Sequence, residues 1–336
     1  MSSALVSFVL PCFNAGQYLQ QTLDSIGLQT YTHWECVAID DGSSDTTLSI
    51  LQTAAQQDTR FKIISRENRG LIASLNEGIA AASGEWIARI DADDICAPDR
   101  LVKQLDYCQM NQVDICGSWV GFIGDRRGEW HTPETDAEVR LALLFNTPIA
   151  HPSILARAAL LKAHPYPDDA PHAEDYALWC QIAATTSARF ANIPEVLLHY
   201  RTHPGQVTQA KKAALLITAQ RVREQYARTA LPVALQPLAA EFAKLAEPSR
   251  ILNHAEWLWM VDFFSQLLAL RPESRGALGE IWLDTLQRSH GVNLLDFSRV
   301  LKLALQMPPP KAERKKVLKQ SLRLAMSDFV WQKIKP

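Results

Sequence analysis

Through the first 120 residues, short apolar runs alternate with stretches whose apolar residues recur every three or four positions. The runs Val6–Leu10, Cys36–Ile39, Phe61–Ile64, Trp86–Ile90 and Asp114–Val120 read as strands, several of them apolar enough for burial on both faces. Between them, Leu19, Leu23 and Ile26, then Ile72, Leu75 and Ile79, then Leu101, Leu105 and Cys108 trace helical stripes. Ser43, Ser44 or Asp45 can cap a helix running to about Gln57; Gly84 stops the next helix and Pro98 opens the one after. Strand–helix repeats of this kind predict a largely parallel sheet covered on both faces.

From Gly121 to about Gln206 the pattern loosens. Pro133, Pro148, Pro152, Pro165, Pro167 and Pro171 mark long connections, and long loops in a compact domain often build a binding site. After Thr208 helical periodicity takes over, divided by Pro232, Pro237, Pro248, Pro272 and Pro308-Pro309-Pro310. The expected domains are therefore 1–208, of α/β class, and 209–336, helical.

Composition narrows the choices. With 336 residues and 47% hydrophobic content the chain can bury a core in each of two domains. A net charge of -2 gives no general case for nucleic-acid binding. The six cysteines are scattered without a Cys-x-x-Cys pair and read as buried free thiols of a reducing compartment. No basic region precedes the first apolar run, so a signal peptide is not expected. No stretch reaches the roughly 20 uninterrupted apolar residues of a membrane span; Ile251 to Leu270 comes nearest but holds Asn253, His254, Glu256, Asp262 and Gln266. The expected location is the cytoplasm.

Two acidic turns carry the chemistry. Asp91-Ala92-Asp93-Asp94 follows the run Trp86–Ile90, and Asp40-Asp41-Gly42-Ser43-Ser44-Asp45 follows Cys36–Ile39. Ligands in open α/β sheets bind beyond the carboxyl ends of strands, where the strand order reverses. Both turns occupy carboxyl ends and are expected side by side. So many like charges repel unless a cation joins them, and oxygen donors of this kind suit Mg²⁺ or Mn²⁺ together with substrate phosphates.

In order, the chain shows Val6-Ser7-Phe8-Val9-Leu10-Pro11-Cys12-Phe13-Asn14, the Asp40 turn, Asn68-Arg69-Gly70, the Asp91 turn, Glu174-Asp175 and His199-Tyr200-Arg201-Thr202-His203. This succession, over about residues 4 to 208, resembles family 2 glycosyltransferases, and within them bacterial members that build lipopolysaccharide, capsule or exopolysaccharide. The resemblance implies a GT-A fold (the nucleotide-diphospho-sugar transferase form of a Rossmann-like sheet) with an α-helical C-terminal extension. It also implies inverting transfer from a UDP-sugar donor to a glycan or lipid-linked glycan acceptor. By the same resemblance Pro11 and Asn14 lie beside the nucleotide, Asp41 accepts the uracil N3–H, and Arg69 (with Arg66 as competitor) pairs with phosphate or ribose. Asp91 and Asp93 form an Asp-x-Asp motif for ribose and metal, with Asp93, Asp94 and His203 as metal ligands. Imidazole favours Mn²⁺ over Mg²⁺. Asp175 is the implied general base, oriented by Glu174; a helix N-terminus at that pair would keep the base ionised and weak. His151 and His172 are expected toward the acceptor, while Trp119, Trp130 and Trp179 are expected in the core rather than stacked on a sugar.

Two competing readings are a sugar-nucleotide nucleotidyltransferase and a non-catalytic assembly protein with the same fold. Pro11-Cys12-Phe13-Asn14-Ala15-Gly16, in place of a Gly-rich basic loop, counts against the first, and intact Asp93 and Asp175 against the second. In 311–336, eight basic residues face two acidic ones, and Leu318, Leu322, Ala325 and Phe329 share a helical face. Such a helix either lies on the anionic cytoplasmic face of the inner membrane or packs on its neighbours.

Overall fold

The computed structural model describes residues 4–203 and 212–287, together with Leu303 and Gln306. The basic stretch 311–336 lies outside the described residues.

The apolar runs form strands β1 (Val6–Cys12), β2 (Trp34–Asp41), β3 (Phe61–Arg66) and β4 (Trp86–Arg89). The helical stripes between them form α1 (Leu19–Gly27), α2 (Thr47–Gln57) and α3 (Leu71–Ala81). A two-residue β5 (Ile95–Cys96) precedes α4 (Arg100–Asn111), and β6 (Ile115–Gly124) pairs with a short β7 (Glu129–Trp130). Then come α5 (Asp136–Ala142), β8 (Leu155–Arg157), α6 (Ala158–Ala163), α7 (Glu174–Thr185) and β9 (Phe190–Thr202).

The sheet runs β3-β2-β1-β4-β8-β6-β9-β5. The chain moves outward from β1 to β2 and β3, then returns to lay β4 on the other side of β1, all four parallel. Strand order thus reverses at β1, the place where such sheets bind ligands. Side-chain alternation divides the two faces. Val6, Phe8, Leu10, Trp34, Cys36, Ala38, Trp86 and Ala88 join one apolar cluster with Leu19 and Leu23 of α1, Leu51 of α2 and Leu101 and Leu105 of α4. On the other face, Val9 and Ile39 receive α3 at Gly78, where an added Cβ would stand 2.7 Å from side-chain carbons of both. Asp41 and Arg89 lie on this second face by the same period of two.

Beyond β4 the expected parallel sheet gives way to a mixed one. β8 is antiparallel to both β4 and β6, and β5 is antiparallel to β9. At three residues, β8 is too short to leave a period in the sequence. β9 is longer, but Pro194 and Glu195 interrupt it. They sit where the β6–β9 register shifts, from Ser118↔Ile193 to Trp119↔Val196. A proline tolerated at such a bulge costs no ladder hydrogen bond. A buried polar network closes the junction of these strands. Arg100 donates Nη2 to the carbonyls of Arg89 and Ile154, each at 2.9 Å, and Nε to Gln104 Oε1 at 3.0 Å.

Contacts group the chain into two compact units. One holds the residues up to Val139 and Thr147–Ala219; the other holds Arg140–Asn146 and the described chain from Gln220 onward. The second unit contains the helices Ala239–Leu245, His254–Leu270 and Arg275–Gln287. Its interior is aromatic, with Phe145, Phe242, Phe263, Phe264, Trp257 and Trp282. Buried Arg223 donates to the carbonyls of Phe145 and Ala243 at 2.9 and 2.8 Å. Asn253 and Glu256 form a capping box on the helix that follows. Among the described residues no helix is long and apolar enough to cross a membrane.

Gly42 turns the chain after β2 at φ 72°, and a Cβ there would meet Asn68 N at 2.8 Å. Gly42→Ala should therefore lower stability by about 2 kcal/mol from backbone strain alone, read as the shift in a urea unfolding midpoint. An unchanged midpoint would mean that the turn does not need its left-handed residue.

Candidate active site

The loops after β1 and β2 are tied to each other by side chains. Asn14, itself left-handed at φ 49°, accepts from Ser44 N at 2.9 Å, and its own N–H donates to Ser43 Oγ at 3.0 Å. Asp45 accepts from Gly16 N and Thr47 N, both at 2.9 Å. Asp40 is buried, accepting from Ser43 N at 3.2 Å and Ser65 Oγ at 2.9 Å, so it shapes the turn.

Asp41 gathers the next loop. Its Oδ1 accepts from Arg69 N at 2.8 Å and its Oδ2 from Gly70 N at 2.9 Å. Arg66, which faces Asp41 directly in the β2–β3 register, pairs with it and with Glu77 and donates to Ser74 Oγ at 3.0 Å. Arg66 is thus engaged in holding the fold, whereas Arg69 is exposed, with its backbone N–H on Asp41. The two acidic turns are not adjacent: β1 separates them, because β2 and β4 pair with its opposite edges. Buried Cys12 lies between, with Asp40 and Asp91 both adding to the burial that raises its thiol pKa.

The turn after β4 holds the concentrated charge. Asp91, Asp93 and Asp94 place a carboxylate oxygen each within 4.8 Å of one another. Arg89 grips Asp91 through both terminal nitrogens, one of them at 2.7 Å. Asp94 is fully buried, and its Oδ1 accepts from Arg201 N at 2.8 Å. Its Oδ2 has no hydrogen-bond partner among the described residues. Burial first, then Asp91 and Asp93, push the Asp94 carboxyl well above the ordinary range. Burial likewise raises Asp91, against the opposing charge of Arg89. A divalent cation fits this donor set: it would neutralise three crowded carboxylates and give the orphaned Asp94 oxygen a partner.

β9 completes the turn. Its antiparallel pairing with β5, Ile95↔His199, brings the strand end alongside residues 93–94. His203 Nε2 lies 3.0 Å from Asp93 Oδ2, so the imidazole faces the acidic turn; His199 lies instead over Gly121. Tyr200 is half-buried near the same acids, and burial, followed by Asp91, Asp94 and Asp93, raises its phenol pKa.

Glu174 and Asp175 open α7, as the helical pattern suggests. Their protonation differs from expectation. Burial first and the neighbouring Glu174 second push Asp175 up to about 7, outweighing its bond from Tyr176 N at 2.7 Å and the charge of Arg89. Desolvation and a like charge thus exceed the pull of the helix N-terminus. Glu174 is raised too, chiefly by burial.

His151 is buried 2.6 Å from Tyr166 Oη, with its ring edge-on to Trp179 at 6.2 Å. Burial, then Arg89, lowers its pKa well below the ordinary value, so it stays neutral. His172 sits left-handed at φ 67° just before α7. Trp179 is fully buried as expected, and half-buried Trp119 stacks on His131 at 3.9 Å, but Trp130 is exposed at 36%, outside the core expected for it, because it lies on the short edge strand β7. Arg89 and Tyr166 complete the site without having been singled out from the sequence, while Tyr200 and Arg201 stand in the His199–His203 motif without a role of their own being assigned. Arg89 also left a signal there: a charge inside an otherwise apolar strand.

This constellation agrees with the comparisons to known proteins. Residues 7–163 match the family described as "Glycosyl transferase family 2". An uncharacterized glycosyltransferase of Haemophilus influenzae is 35% identical over 236 residues, 66% of this chain and 72% of that protein. The putative glycosyltransferase EpsE of Bacillus subtilis is 30% identical over 275 residues, 76% of this chain and 98% of that one. Among solved structures, S. aureus TarS 1-349 in complex with UDP-GlcNAc aligns over 95% of this chain and 91% of its own, with TM-score 0.60 and 18% identity. The mannosyltransferase PcManGT from Pyrobaculum calidifontis, in complex with GDP-Man and Mn2+, aligns over 98% and 88%, with TM-score 0.52 and 20% identity. At such identities the structures speak for the fold, a GT-A sheet followed by helices, while sequence relatives speak for the family. The chain belongs to the family 2 glycosyltransferases.

Proposed function

We propose that this glycosyltransferase moves a hexose or N-acetylhexosamine from a UDP-sugar to a glycan acceptor in cell-surface polysaccharide biosynthesis, with inversion at the anomeric carbon. The observation that carries the reading is the Glu174–Asp175 pair at the N-terminus of α7, where burial and then Glu174 push the Asp175 carboxyl up to about 7 against the charge of Arg89. A base titrating there is ionised often enough to act at neutral pH and basic enough to take a proton from a sugar hydroxyl. Asp175 accepts that proton as the hydroxyl oxygen attacks the anomeric carbon from the face opposite the departing UDP. A single carboxylate suffices, because a diphosphate leaves without being protonated. Glu174 raises Asp175 by its charge, and Arg89 keeps it from rising further.

The nucleotide end rests on the loops after β1 and β2. Asp41 Oδ2 carries one bond, from Gly70 N, and keeps acceptor capacity for the N3–H of uracil, an atom that in cytosine would repel it. Pro11 and Asn14 border the base, and exposed Arg69 is free to meet phosphate or ribose. Asp91, held by Arg89, would face the ribose, and Asp93, Asp94 and His203 would hold Mn²⁺ or Mg²⁺. When bound, such a cation neutralises charge developing on the leaving diphosphate. Related structures solved with UDP-GlcNAc and with GDP-Man and Mn2+ support a nucleotide-sugar donor and a divalent ion. We place the catalytic domain at 1–208 and a helical extension at 209–336. The basic amphipathic pattern of 311–336 supports peripheral contact with the cytoplasmic face of the inner membrane, near a lipid-linked acceptor.

Asp175→Asn should abolish transfer yet leave UDP affinity, measured by calorimetry, within about twofold of wild type; substantial turnover by the variant removes Asp175 from the base role. In wild type, kcat/KM should rise with pH through a limb centred about pH 7 as Asp175 loses its proton. The folded carboxyl holds its proton to higher pH than the unfolded chain does. Stability should therefore fall as pH rises from about 4 to about 7, and Asp175→Asn should flatten that fall in a melting-temperature series. Asp93→Ala should weaken UDP binding in the presence of Mn²⁺ while leaving binding in EDTA unchanged; equal metal-dependent binding by both proteins sinks the ligand assignment.

A further inference from the structure

We infer that Arg201 is a positioning residue for the cation-binding turn: its guanidinium locks the Asp93–Asp94 peptide against α1 and so fixes where Asp93, Asp94 and His203 present their ligand atoms. The inference rests on the proposed cation site and adds to it a residue that is not itself a ligand.

Four contacts define the lock. Arg201 Nε donates to the carbonyl oxygen of Asp93 at 2.8 Å, and its Nη2 donates to Gln21 Oε1 on α1 at 2.8 Å. Its Cζ lies 4.4 Å from the ring centroid of Tyr18, the residue before α1, close enough for a cation–π contact. Its main-chain N–H donates to Asp94 Oδ1 at 2.8 Å, which leaves Oδ2 as the oxygen without a partner. The circuit then closes on itself. The Tyr18 ring rests 5.5 Å from the imidazole of His203, and His203 Nε2 reaches Asp93 Oδ2 at 3.0 Å.

A hydrogen bond on the Asp93 carbonyl sets the plane of the peptide between Asp93 and Asp94. Rotating that peptide would swing both side chains and would also strain the bond from Asp94 N to Asp91 O at 3.2 Å. Two arginines thus hold the turn in different ways. Arg89 grips a carboxylate at its start, and Arg201 grips the main chain at its centre. Groups that orient metal ligands without touching the metal commonly matter for affinity nearly as much as the ligands. Lysine is a poor substitute here, since one ammonium cannot both span the fork and stack on the ring.

The test titrates MnCl₂, in the presence of UDP, into wild type, Arg201→Met and Arg201→Lys by calorimetry, with melting temperatures recorded in EDTA. Both variants should bind Mn²⁺ about ten- to a hundredfold more weakly while melting in EDTA close to wild type. Equal Mn²⁺ affinity in wild type and Arg201→Met overturns the proposal. So does wild-type affinity in Arg201→Lys, which would reduce the role to bare charge. If Arg201→Met does not fold, Tyr18→Leu combined with Gln21→Ala decides, because it keeps Arg201 and removes two of its supports. Weakened Mn²⁺ binding by that variant upholds the lock, and unchanged binding refutes it. A wild type that binds UDP but no Mn²⁺ would overturn the cation site itself, an outcome distinct from all of these.

Discussion

Crowded negative charge around one buried guanidinium is the constraint on which the site depends. Arg89, 4% exposed in β4, pairs with Asp91 and acts electrostatically on Asp94, Glu174 and Asp175. Burial would raise all four carboxyls if they stood alone, since desolvation disfavours the charged form. A single fixed positive charge cannot offset four, so all four remain raised. That residual imbalance explains two features at once. It leaves the Asp91–Asp94 turn suited to a cation, and it holds Asp175 near neutrality. One electrostatic deficit thus acts on both the Asp91–Asp94 turn and the Glu174–Asp175 pair.

The neighbouring groups suit this arrangement. His151 stays neutral against Arg89, so it adds no second positive charge. Its bond to Tyr166 Oη fixes the ring beside Trp179 of α7. Tyr166 is bonded in turn through its main chain to Asn76 of α3, donating at 2.9 Å and accepting at 3.0 Å. These contacts join α3, the 151–166 segment and α7 into a single support for the Glu174–Asp175 pair. On the opposite side, Arg201 and Tyr18 serve the acidic turn in the same manner. Both halves of the site therefore rest on buried or half-buried polar networks rather than on loops alone.

Much of the first half of the fold was legible in the chain, because β1 to β4 and α1 to α4 bury their apolar residues with clear periods. The strands that finish the sheet were not. β8 is three residues long, and β9 conceals itself behind Pro194 and Glu195, a bulge that no local rule announces. The site shows the same division. Asp93, Asp94, Glu174, Asp175 and His203 stand out as chemical types in ordered motifs. Arg201, although inside one of those motifs, gains its meaning only from the β5–β9 register that sets it beside Asp93.

By itself the sequence determined which segments are strands or helices in residues 4–120, the two-residue β5 apart, and which side chains carry charge at strand ends, since burial periodicity and turn chemistry are local properties. Tertiary structure alone decided that β1 separates the two acidic turns, that Arg66 rather than Arg69 binds Asp41 by its side chain, and that burial and Glu174 raise the Asp175 carboxyl. Those outcomes follow from distances between residues far apart in the chain and from solvent excluded by packing. Coulomb energy and desolvation depend on such distances, and no window of sequence contains them.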